Sequence, residues 1–299
     1  MARQGMWVMM ALALGATAGC AVPAPPAPVL GMPASLGMGT VASYAEVGGA
    51  GAPNVIGVMF AASALENLPA APSAGYHCFD ADKNGEIDVA VECAGWHEWV
   101  LPLPSDLARR ADMPFKWVLL NWNPHGHIPP GVYDTPHFDV HFYMESIERV
   151  FAIQAGPCGP EHVRCDQFAL ARKPLPGNYM PASHVDVGAV APAMGNHLVD
   201  VTGPEFKGEK FRHTWIYGVY DGRVTFYEEM VDRIFLLSKP SACSPIPSPE
   251  AVATSGYYPT QSCIRYMADK DAYTVSLEGF VMRNASAPTA LRPAPPTNP

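Results

Sequence analysis

Apolar and polar residues alternate without a break from His137 to Tyr143: Phe138, Val140 and Phe142 interleave with His137, Asp139, His141 and Tyr143. Successive side chains on a β-strand point to opposite faces. The segment therefore reads as a strand with one face for a core and another bearing imidazoles, a carboxylate and a phenol. Two further runs, Thr214 to Tyr220 and Arg223 to Met230, flank Asp221-Gly222, a dipeptide suited to a tight hairpin turn. A two-residue turn pairs Trp215 with Glu228, Tyr217 with Phe226 and Val219 with Val224. Glu228 is then the one carboxylate on an otherwise apolar face, which His213 joins if the strand starts one residue earlier. Thr40 to Val47 and Val55 to Phe60 predict strands around Gly48-Gly49-Ala50-Gly51, and Trp117 to Asn121 predicts another. Helical spacing is confined to short stretches, Ser63 to Leu68 and Glu145 to Ile153. The pattern predicts a mainly β, single-domain antiparallel sandwich or barrel with a few short helices.

Composition agrees with that reading. The chain of 299 residues is 48% hydrophobic and only 16% charged, with 32 Pro and 26 Gly, which favours short strands and turns over long helices. The net charge of -9 and the lack of any basic run exclude nucleic acid as a partner. At the N-terminus, Arg3 precedes an apolar run, Met6 to Ala18, too short for a comfortable membrane span. Thr17-Ala18-Gly19-Cys20 resembles the lipobox of bacterial lipoproteins, with Thr17 in place of the usual Leu. Residues 1–19 are thus expected to be a signal peptide and Cys20 a lipid anchor; cleavage after Ala16-Thr17-Ala18 is the other reading. Ala21 after the Cys, where Asp is absent, points to the outer membrane, or at least to the periplasm. Residues 20–38, rich in Pro and Ala, read as a tether, residues 39–283 as the domain, and residues 284–299 as a disordered tail. The six remaining Cys fall into three pairs close in sequence, Cys78 and Cys93, Cys158 and Cys165, Cys243 and Cys263. Local disulfide pairing is the simplest of the 15 connectivities and fits an oxidising compartment.

Chemistry concentrates in the stretch from His125 to Glu145. His125-x-His127 precedes a turn containing Pro129, Pro130 and Gly131, which folds this pair back over the row His137, Asp139, His141. Imidazoles with a carboxylate suit Zn, Cu, Fe or Mn, and not Ca or Mg. The alternative is a hydrogen-bonded polar network that orders the Pro-rich turn. His-Glu-x-x-His is absent, and the cupin pattern is approached only by Asp139-x-His141-x-x-x-Glu145. Glu228, costly on a core face unless paired or metal-bound, is a candidate ligand or base; at a sheet rim or beside an Arg it needs no metal. His197, in Met194-Gly195-Asn196-His197, and His184 are weaker candidates. If the site is catalytic, Tyr143 and Glu145 are candidates for moving protons. A separate loop, Asp80-x-Asp82-x-Asn84-Gly85-Glu86-Ile87-Asp88, matches the first nine positions of an EF-hand and then fails, with Val91 at position 12 and an acid one later at Glu92. It fits a structural calcium site between residues 78 and 93, or an ion-free turn.

Gly126-His127-Ile128-Pro129, Tyr133, Pro136 to Tyr143, Met194 to His197 and Tyr217 to Glu228 together resemble a family of exported bacterial proteins carrying a domain of unknown function. The resemblance covers roughly residues 39–283; the calcium-like loop looks like an insertion, and Glu229 stands where the family often has Pro. It implies export and brings no activity. The expectation is an exported, lipid-anchored metal-binding protein whose partners are the membrane, a small-molecule ligand and, in a homo-oligomer, a second copy. A metal-dependent enzyme of unassigned reaction and a non-catalytic envelope protein both satisfy it. There is no Gly-x-Ser-x-Gly, P-loop or dinucleotide fingerprint.

Overall fold

The structure is a computed structural model that describes residues 27–49, 51–71, 96–127, 131–154 and 165–291, together with Met1, Asn84, Glu86 and Pro129. The expected signal peptide apart from Met1, Cys20, Cys78, Cys93, Cys158 and all the calcium-like loop except Asn84 and Glu86 lie outside the described residues. Of that loop, the backbone N–H of Glu86 donates to Asn84 Oδ1 at 2.8 Å.

The chain begins with β1 (Val29–Leu30), β2 (Ala34–Leu36), β3 (Gly39–Val47) and β4 (Pro53–Ala61), followed by a 3₁₀ turn at Ala62–Leu65. Next come β5 (His97–Pro102), α1 (Ser105–Ala108), β6 (Trp117–Asn123), β7 (His137–Tyr143), α2 (Ile147–Phe151) and α3 (Cys165–Ala171). The remainder is β8 (His184–Ala191), β9 (Gly195–Asp200), β10 (His213–Tyr220), β11 (Arg223–Asp232), α4 (Arg233–Leu237), β12 (Ser241–Pro245), β13 (Gly256–Tyr258), β14 (Gln261–Met267), β15 (Ala272–Glu278) and β16 (Val281–Arg283). One sheet runs β1-β3-β4-β15-β14-β12, with β2 also on β3; the second runs β5-β6-β7-β11-β10-β9-β8. All pairings are antiparallel, and neither sheet closes into a barrel, so of the two expected architectures the chain adopts the sandwich.

Alternation explains the core between the sheets. Val41, Ala45, Ile56, Val58, Phe60, Val275 and Leu277 from the first sheet meet Val118, Leu120, Trp122, Phe138, Val140 and Phe142 from the second. Phe60 and Phe138 pack across the interface with ring centroids 5.2 Å apart. The folded body starts earlier than expected, because residues from Val29 onward pair with β3 and Leu36 is buried. It also ends later. Asn178 bonds the backbone of Ala287 and Thr289, and Gly177 N–H donates to Ala290, so the tail through Leu291 is laced against residues 176–179. Among the three expected disulfides, Cys243–Cys263 joins directly opposed residues of β12 and β14.

The hairpin needs one correction. Asp221 and Gly222 do take left-handed φ values of 50° and 70°, as the tight turn requires. Val219 pairs with Val224, but a bulge at Gly218/Val219 then shifts the register by one. Glu228 therefore lies opposite Ile216, not Trp215, and Phe226 lies opposite Gly218. Trp215 and Tyr217 turn toward the core with Tyr227, while Phe226, Glu228 and Met230 turn to the outer face of the second sheet. His213 pairs with Val231 and reaches Glu229 Oε1 at 2.8 Å, so it does not share the face of Glu228.

Candidate metal centre

Every residue of β7 is buried. The core covers Phe138, Val140 and Phe142. The opposite face, which carries His137, Asp139, His141 and Tyr143, is covered by two small apolar clusters. Trp96, Trp117, Leu119, Tyr143, Val150, Met194 and Phe226 form one; Tyr133, Val199, Phe211, Ile216 and Met230 form the other. The polar row lies between these patches and out of bulk water.

Register then assembles the site. β7 sits between β6 and β11, so His141 faces Leu119 on one side and Glu228 on the other, while Asp139 faces Asn121 and Met230. β9 pairs with β10 and places His197 opposite Gly218. The loop after β6 returns through a bridge between His127 and Tyr133, and this brings His127 over His137 at 4.7 Å between ring centroids. The outcome is two groups, not one pool. His127, His137 and Asp139 form the first; His141, His197 and Glu228 form the second, and in each the ligand atoms lie within 4.8 Å of one another.

In the first group His137 Nε2 lies 3.1 Å from Asp139 Oδ1, and His127 Nε2 lies 3.5 Å from Asp139 Oδ2. Asn123 Nδ2 donates to Asp139 Oδ2 at 2.8 Å. In the second, His141 Nε2 is 3.4 Å from Glu228 Oε1 and His197 Nε2 is 3.9 Å from Glu228 Oε2. With bonds of about 2.0 Å, neighbouring ligand atoms sit roughly 2.8 Å apart in an octahedron and 3.3 Å in a tetrahedron. From ligand atoms within 4.8 Å of one another, reaching either geometry requires them to close by up to roughly 2 Å.

The orientation of the imidazoles carries more weight. Nδ1 of His137 meets the carbonyl oxygen of Thr135 at 2.6 Å, that of His141 meets Leu119 O at 3.3 Å, and that of His197 meets Ala189 O at 2.9 Å. A carbonyl only accepts, so each Nδ1 carries a proton and each Nε2 faces inward, where a neutral ring presents its lone pair. His137 Nε2, Asp139 Oδ1, His141 Nε2 and Glu228 Oε2 are buried without a hydrogen-bond partner. Around an ionised carboxylate, acceptors thus face acceptors, an arrangement that a proton or a bound cation resolves. Backbone carbonyls holding Nδ1, as here, also orient metal-bound histidines.

Electrostatics point the same way. Burial pushes His141 down to about 3 and His197 down to about 4, so both rings stay neutral at physiological pH. Burial, with Asp139 and Glu229 nearby, raises Glu228 well above the carboxylate range. Asp139 is also buried, but the positive charge and hydrogen bonds that His137 and His127 supply when protonated outweigh that cost and hold it well below its ordinary value; with those rings neutral, a bound cation would take their place.

The other sequence candidates fall elsewhere. His125 is exposed and belongs to neither group. Tyr143 donates its hydroxyl to Ala193 O at 3.1 Å and stacks on Trp117, and burial raises its pKa well above 10. Glu145 lies beyond the end of β7, 3.2 Å from Arg149, and lines a separate cavity of about 580 Å³ with Lys116, Arg223 and Tyr258. His184 has both ring nitrogens engaged, by Ser183 Oγ and Trp215 O. Asn123 was missed because the strand was expected to stop at Asn121; two more steps of alternation put it on the row of Asp139. Gly218 was missed as well: a Cβ there would meet the Phe226 ring at 2.0 Å. Only glycine lets that ring lie between His141 and His197, at 4.8 and 5.3 Å.

Comparison with protein families, curated proteins and solved structures finds no match to this chain.

Proposed function

We propose that this chain is an exported, lipid-anchored metalloprotein that holds a divalent transition metal at His127, His137 and Asp139. The observation that carries the reading is the inward lone pair of His137 Nε2, 3.1 Å from an Asp139 oxygen that likewise has no donor. Two imidazoles and one carboxylate form a donor set used for zinc and for non-haem iron. Three protein ligands leave coordination positions open. His127 is the partly exposed member, with 19% of its side chain accessible, so water or a small ligand reaches the ion from that side. There the ion supplies Lewis acidity, polarising a bound oxygen or lowering the pKa of bound water. Cys20 fixes the chain to the membrane, and the tether holds the sandwich off the surface.

Metal analysis of the mature protein, purified without chelator and then offered Zn, Fe(II), Mn and Cu in turn, tests the reading. At least one ion per chain is expected, lost on His137→Gln or Asp139→Asn with the β-sheet circular dichroism intact. Less than about a tenth of an ion per chain with every metal overturns it in favour of a hydrogen-bonded network. Lipid labelling of the expressed chain, abolished by Cys20→Ala, tests the anchor.

A further inference from the structure

We propose that His141, His197 and Glu228 form a second, separate site for a divalent transition metal on the same sheet face. The inference rests on the metal reading of the first group and extends it to two ions per chain. Glu228 and His141 are cross-strand partners on β11 and β7, with side chains only 2% and 1% accessible. Glu228 Oε2 and His141 Nε2 have no hydrogen-bond partner, and among the described residues no Lys or Arg pairs with Glu228. His197 arrives from a different strand with its Nδ1 fixed by Ala189 O. Three elements thus aim three donor atoms at one point inside the fold.

The two sites are distinct because the ligand atoms of each group lie within 4.8 Å of one another, and among the described residues no such set joins members of both. Each group therefore holds its own ion, and two ions on one sheet face suit a ligand with two donor groups, such as a dicarboxylate or a phosphate ester. Access is similar at the two sites: His197, at 14% of its side chain, is the most open ligand of the second, and His127, at 19%, of the first.

The test is a zinc titration of the chelator-stripped mature chain, with bound metal counted after gel filtration. The wild type is expected to hold two ions. His137→Gln with Asp139→Asn, and separately His141→Gln with Glu228→Gln, are each expected to hold one. The ion each variant retains is its own evidence of folding. A wild type that holds one ion, lost in both variants, overturns the second site and leaves a single shared metal. One ion lost only in the first variant overturns the second site and supports the first alone. No ion in the wild type overturns both readings.

Discussion

Replacing Glu228 with Gln separates a buried carboxylate's cost from its use. In the metal-free protein Glu228 is 1% exposed, its Oε2 has no donor, and its neighbours His141 and His197 are neutral. Burial raises its pKa well above its ordinary 4.5, so the folded chain keeps a proton that the unfolded chain gives up. A carboxyl raised in this way lowers stability as pH climbs from its unfolded pKa toward its folded one. Between 4.5 and pH 7 lie roughly 2.5 units, at about 1.4 kcal/mol each, so the penalty at neutral pH is at most about 3.5 kcal/mol. Gln has the shape of the protonated form and never ionises. Metal-free Glu228→Gln is therefore expected to be more stable than the wild type at pH 7.5, by about 1–3 kcal/mol, with the difference shrinking toward zero at pH 5. Urea unfolding of chelator-treated proteins at both pH values measures it, with disulfides intact. A variant less stable than the wild type at pH 7.5 would refute the reasoning: Glu228 would then be an ionised partner of a protonated His141, and the face would be a salt-bridged network.

Four further substitutions probe the surroundings. Gly218→Ala puts a methyl 2.0 Å from the Phe226 ring, and overpacking of this kind costs about 1–3 kcal/mol; unchanged stability in a thermal melt would contradict the placement of that ring. Asn123→Ala removes the donor to Asp139 Oδ2 and is expected to weaken zinc at the first site by about 10–100-fold in a competition titration while leaving the second untouched. Cys243→Ser with Cys263→Ser opens a cross-link between residues 20 apart in sequence and should cost roughly 3 kcal/mol in urea, with no loss of bound metal. Phe138→Ala empties a core position beside Phe60 and Trp122, at an expected cost of about 3–5 kcal/mol; a cost under 1 would mean that the two sheets do not close there.

The strand elements were legible because their cause is local. Period-two alternation marks β7 from end to end, and Asp221-Gly222 marks the β10–β11 turn with its left-handed backbone. The site was legible only as a set of residue types. Cross-strand neighbours depend on sheet order, and nothing between residues 137 and 232 states that β11 docks on β7 and so brings Glu228 to His141. The need for glycine at 218 is invisible for the same reason: the Phe226 ring that a Cβ there would meet is its cross-strand neighbour only once the hairpin has closed. His125 and His127 look alike in sequence, yet only His127 lies at the backbone bridge to Tyr133 that turns it over the strand.

The strand period also decides how many ions this face can serve. Helical ligands three or four apart converge on one ion because their side chains stack along one face within about 5–6 Å. Alternating strand residues share a face but start roughly 6.5–7 Å apart, so a His-x-Asp-x-His row needs help from neighbouring elements at each end. The fold supplies that help twice: His127 joins His137 and Asp139 at one end, and His197 and Glu228 join His141 at the other. Asp139 and Glu228 are buried carboxyl groups, and among the described residues neither is paired with Lys or Arg. Unpaired buried carboxylates are costly and take up protons when nothing else neutralises them. One divalent ion per carboxylate takes the place of the proton on Glu228 and removes that cost at both ends of the row, whereas a single ion held by one group would leave the other group's carboxyl without a cation.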